Sequence, residues 1–154
     1  MRKRSTVSTI GLIVGLAAFG LSSPLLAGWG GANRAFRGNA EGVVTGISPE
    51  GALIAESTGT ATHLGKYTRT ETVFIDGAEV SGTIVFTAAN GDELWADFTG
   101  AFTSPTTAEG TYTFTGGTGR FEDATGTASF QVTTATTPDG VTHLSVRFRG
   151  KIGY

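Results

Sequence analysis

Gly116-Gly117-Thr118-Gly119-Arg120-Phe121-Glu122-Asp123-Ala124-Thr125-Gly126 is the stretch that decides the fold. It has four glycines, one aromatic and no helical period. It lies between residues 112–115 and 127–134, which both alternate as strands do. A glycine-rich connection of this kind reverses the chain between antiparallel neighbours. The strand–turn–strand pattern then extends outward in both directions.

Towards the N-terminus, Val43, Val44 and Ile47 make a first short strand, ended by the turn Ser48-Pro49-Glu50-Gly51. Residues 52–63 are a second, β-branched and with Gly59 as a bend, turned by Leu64-Gly65-Lys66. Residues 67–76 and 79–88 flank the hairpin signal Asp76-Gly77. Asn90-Gly91 predicts a type I′ turn into a fifth strand over 92–102, because both residues tolerate positive φ. After the loop Ser104-Pro105-Thr106-Thr107 come a sixth strand over 110–115 and a seventh over 127–136. Pro138-Asp139-Gly140 turns into the eighth, 141–152. Eight strands with short connections and no helix predict an all-β fold, an eight-stranded antiparallel β-barrel, with an open β-sandwich as the competitor. No internal repeat points to a propeller or solenoid.

Alternation assigns the inner face. Val80, Ile84 and Phe86 oppose Ser81 and Thr83. Leu94, Phe98 and Phe102 oppose Glu93, Asp97 and Thr99. Tyr112 and Phe114 oppose threonines. Phe130 and Val132 oppose Ser129 and Gln131. Leu144, Val146, Phe148 and Ile152 oppose His143, Arg147, Arg149 and Lys151. The third strand stays open between two readings. If the face carrying Tyr67, Val73 and Ile75 points in, Arg69 and Glu71 lie inside the barrel; otherwise Phe74 and its threonines do.

Residues 1–27 stand apart. Arg2-Lys3-Arg4, the apolar run from Ile10 to Leu21 and the small-residue exit Ser22-Ser23-Pro24-Leu25-Leu26-Ala27 form the three-part pattern of a cleavable signal peptide. The run falls short of the roughly 20 residues of a membrane span. Cleavage is expected after Ala27, with Ala32 the second choice. Residues 28–39 read as a flexible lead-in, and 40–154 as the barrel domain. Loss of the basic start lowers Lys+Arg from 11 to 8 against 13 Asp+Glu, so the exported chain carries a net charge near −5. That disfavours nucleic acid and anionic membrane as partners. The chain has no cysteine, and a domain of about 125 residues can bury a core without disulfides. The expected location is secreted or periplasmic.

The opening stretch, Gly-Gly-Thr-Gly-Arg-Phe followed by Ala124-Thr125-Gly126, resembles the connection in the allene oxide cyclase and dirigent-protein barrel superfamily, and is most similar to small secreted bacterial members. Residues 59–68 and Phe86-Thr87-Ala88-Ala89-Asn90-Gly91-Asp92 are similar to phrases found there. The resemblance spans residues 40–152. It implies an eight-stranded barrel, often trimeric in the plant enzymes, which cyclise a fatty-acid epoxide or steer phenoxy-radical coupling with polar groups in the cavity. One departure is Asp123, where this turn often has glycine; Asp tolerates a left-handed backbone.

No residue pattern specifies a reaction. Two histidines, His63 and His143, without cysteine do not supply a zinc site, so no metal and no cofactor is expected. The glycines of the opening stretch lack the following helix of a phosphate site and the tandem copies of a calcium-binding repeat. Gly-x-Ser-x-Gly is absent. Asp92, Glu93 and Asp97 read as solvated surface carboxylates. The first expectation is therefore a non-enzymatic barrel whose interior is packed or holds a small apolar ligand against Phe98, Tyr112, Phe114 and Phe148. The alternative is a cyclase- or isomerase-like enzyme using Arg69 and Glu71. A third reading is a structural, self-associating surface module, with Trp95, on the outward face, in a homo-oligomer contact or covered by neighbouring Lys or Arg stems.

Overall fold

The computed structural model describes residues 33–154; the signal-peptide pattern and Trp29 lie outside the described residues. Eight strands close into one antiparallel barrel in sequence order: β1 (Arg34–Ile47), β2 (Leu53–Ala61), β3 (Gly65–Asp76), β4 (Glu79–Ala88), β5 (Glu93–Ser104), β6 (Thr107–Gly117), β7 (Thr125–Thr136) and β8 (Thr142–Gly153). Closure pairs β1 with β8, from Arg34↔Ile152 to Val43↔His143. The open sandwich is thereby excluded.

The first strand is longer than its sequence pattern predicts. Residues 34–39, read as flexible lead-in, pair with β8 and carry the fully buried Phe36. The glycines and polar residues around Phe36 hide this alternation. Gly38 is needed on the inner face, since a Cβ there would lie 2.5 Å from the Phe148 ring. His63, read as strand, is in the β2–β3 turn at φ 69, with its ring nitrogen 3.1 Å from the Ala35 carbonyl oxygen.

Three hairpins share one design. In Ser48–Gly51, Ala88–Gly91 and Thr137–Gly140 the last residue is a glycine at positive φ whose N–H donates to the first residue's carbonyl. Asn90 does not take positive φ, so the expected type I′ turn is a three-residue loop ending in left-handed Gly91. The tighter Gly77-Ala78 turn has positive φ only at Gly77.

The opening stretch is ordered by its contents. A 3-10 turn, Gly119–Phe121, places Phe121 fully inside the barrel end, with Ala124 buried beside it. Gly119 has φ 57, and a Cβ there would strike the Asp92 carboxylate. Asp123 is not left-handed, so it does not stand in for glycine conformationally; Gly116 and Gly126 take the positive φ values. Arg120 donates to the His63 carbonyl at 2.6 Å, sits over the Phe121 ring and lies 3.7 Å from Asp92. Tyr154 packs edge-on to Phe121 and His63. These contacts seal one end of the barrel.

Candidate functional site

The β1–β2, β3–β4, β5–β6 and β7–β8 turns surround the other end, where the barrel stays open. Alternation directs residues of all eight strands inward, but the inward residues near this end are small or short. Val44, Ala55, Val73, Val80, Ala108 and Val132 line a cavity of about 240 Å³ that continues between Leu53, Ile75, Phe102, Pro105 and Leu144. Eight strands leave space for one small ligand when the inner side chains do not fill it.

The third strand settles its register here. Its inward face is Tyr67, Arg69, Glu71, Val73 and Ile75, so Arg69 and Glu71 lie inside, nearly inaccessible. Both line the cavity together with Tyr112. Arg69 Nη2 donates to Glu71 Oε1 at 2.7 Å, and Nη1 donates to the Tyr112 hydroxyl at 3.1 Å. The guanidinium carbon is 5.9 Å from the Phe86 ring centroid. Burial of a charge is costly unless it is paired and hydrogen-bonded, and here β3 supplies the partner two residues along the same face.

Burial tends to lower the Arg69 pKa, but the Tyr112 and Glu71 oxygens outweigh it and the net direction is up. The Tyr112 phenol is pushed up to about 12, first by burial and then by Glu71, against the opposing pull of Arg69. Tyr67 is also raised, by burial first; its hydroxyl donates to the Asn39 carbonyl at 3.0 Å. Tyr112 is therefore a neutral phenol at ordinary pH, accepting from Arg69 and holding a proton to donate. Two further buried atoms, Ser57 Oγ and Arg69 Nε, have no hydrogen-bond partner, and these residues face each other across β2 and β3. The inner wall thus offers a hydroxyl donor and a carboxylate acceptor beside an apolar chamber.

Of the four aromatics read as ligand-lining, Phe98 and Tyr112 line the cavity. Phe114 and Phe148 do not. They belong to the packed half, where Phe36 stacks on Phe148 at 5.1 Å and meets Phe114 edge-on at 5.0 Å. Alternation fixes which way a residue points but not its height along the barrel axis, so it could not separate these four. Phe130, stacked on Tyr112 at 4.6 Å, was predicted only as core and is a lining residue too. Among the described residues no group of three metal-ligating side chains occurs.

No protein-family model matches the chain, and no curated protein matches it. Among solved structures it is similar to a pterocarpan synthase dirigent protein, at 18% identity over 90% of this chain and 99% of that one, with a TM-score of 0.50. The fold is a dirigent-like barrel. At that identity the likeness concerns architecture alone.

Proposed function

We propose that this dirigent-like barrel binds a small, largely apolar molecule carrying one hydroxyl or carbonyl group, outside the cytoplasm. The observation that carries the reading is the open apolar chamber ending on Arg69, Glu71 and Tyr112. Apolar walls supply affinity, and a few buried polar groups fix orientation. The signal-peptide pattern supports an exported protein.

Naphthalene and 2-naphthol are suitable probes, since they differ by one hydroxyl. Both should bind in fluorescence titrations, and Ala108→Phe, which fills the chamber, should abolish both. Tyr112→Phe should weaken 2-naphthol roughly three- to tenfold, the worth of one hydrogen bond, and leave naphthalene unchanged. Binding that survives Ala108→Phe would place the ligand elsewhere and end this reading. Native mass spectrometry of the purified protein would identify a resident ligand.

A cyclase- or isomerase-like activity is the second reading, supported by the juxtaposition of a carboxylate and a neutral phenol at one cavity wall. Glu71 would take a proton while Tyr112 donates to a ligand oxygen. Glu71→Gln keeps an acceptor for Arg69 but cannot take that proton. Under this reading, the resident ligand of Glu71→Gln would differ from that of the wild type; an identical ligand favours binding alone.

A further inference from the structure

Outward cations cluster on one side of the barrel, bordered by Glu41, which accepts from Ser145, and by Glu109, which accepts from Gln131. On β8, Arg147, Arg149 and Lys151 point outward at alternate positions, and Arg37 of β1 sits directly across from Arg149. Like charges directly opposite destabilise a sheet, yet none of these four cations forms an ion pair among the described residues. The strand order puts the β4–β5 pair opposite the β8–β1 pair. There Glu93, Trp95 and Asp97 point outward, again at alternate positions, and β4 and β5 carry no Lys or Arg.

Trp95 is 40% exposed, its cross-strand neighbours are Val85 and Gly116, and among the described residues no Lys or Arg cation lies over its ring. Its indole N–H donates to Glu93 at 2.9 Å, which fixes the ring on the surface. The two triplets match in spacing. With a rise of about 3.3 Å per residue, each spans roughly 13 Å. Laid face to face, Arg149 meets the Trp95 ring, while Arg147 and Lys151 meet the two carboxylates.

We propose that these faces bind each other between copies of this chain, head to tail. A heterologous contact between opposite faces does not close on itself and builds an open row of barrels. The partner is a second copy rather than a nucleic acid, because the basic face exposes no aromatic side chain on which bases could stack. A membrane fits less well, because the exposed large apolar residues Ile47, Phe74, Ile75 and Val141 lie near the barrel mouth instead.

Exposed ion pairs are screened by salt, so sedimentation of the purified protein reads the contact. At about 20 mM salt the average mass should rise continuously with concentration, and at about 0.5 M it should return to the monomer. Arg149→Glu and Asp97→Lys should each weaken assembly at least tenfold. Mixed together they should form a dimer and nothing larger, because the acidic face of the first and the basic face of the second remain intact. Lys66→Glu, an equal charge change on β3, should assemble as the wild type does. Several outcomes overturn the proposal: a monomer at low salt, including one retained by a sulfated resin; a plateau at a closed ring; no dimer in the mixture; or an equal effect of Lys66→Glu.

Discussion

The two halves of the barrel share one backbone and differ in what fills it. In the sealed half Phe36, Phe86, Phe114 and Phe148 interlock with Tyr67, with ring centroids 5.0 to 6.4 Å apart. In the open half the same strands turn Val44, Ala55, Val73, Val80 and Ala108 inward, and the chamber remains. Strand pairing continues through both, so the cavity comes from side-chain volume and not from a break in the sheet. Arg69 lies at the boundary, with Phe86 on one side and the chamber on the other. The sealed half supplies rigidity, and the chamber can stay unfilled because stability is concentrated elsewhere.

Truncating one aromatic in each half tests that division most strongly. Phe148→Ala should cost about 3–5 kcal/mol, because its tightly packed neighbours cannot collapse into the space. Phe102→Ala, half-buried beside the mouth, should cost about 1 kcal/mol, since most of the area it covers is already near solvent. Denaturant unfolding compares the two, and equal losses would show that the open half carries as much of the stability.

The boundary pair comes next. Glu71→Ala strands the Arg69 charge and should cost about 3 kcal/mol, the low end for a broken buried pair because water can enter from the chamber. Arg69→Met combined with Glu71→Leu removes both charges, and should unfold within about 1 kcal/mol of the wild type or be more stable. A double variant as damaged as Glu71→Ala would mean the pair itself holds the halves together.

Most of the barrel was legible in the sequence, because two-residue alternation is a strong signal where polar and apolar residues are cleanly separated. β4 was placed at its observed bounds for that reason. β1 was read short, because around Phe36 the inward positions include Gly38, which gives no apolar signal. For the site, the sequence left β3 open, since Arg69 and Glu71 on one face competed with Phe74 on the other. The decision came from tertiary pairing: Arg69 pairs with Glu71 and donates to Tyr112, while Phe74 remains 46% exposed near the mouth. Pairing across 43 residues has no local signature. The cavity was illegible for a similar reason, because it depends on summed volumes from all eight strands.

Alkaline pH separates the halves by the smallest step. Burial pushes the Tyr112 phenol up to about 12, against 10.0 for an ordinary tyrosine. Between these values the unfolded chain loses its phenolic proton while the folded barrel keeps it. The native state then binds more protons than the unfolded state, so stability falls as pH rises. The contribution is fully present below about pH 10 and is lost by about pH 12, amounting to about 2–3 kcal/mol for this one group. Tyr67, raised in the same direction by burial, adds to the loss. Tyr112→Phe removes the ionisation, so its stability should fall less steeply over this range than the wild type's, although it starts lower through the lost hydrogen bond to Arg69. Parallel curves for the two proteins would mean that solvent reaches the Tyr112 hydroxyl through the chamber, and that the boundary between the halves is wetter than the packing around it implies.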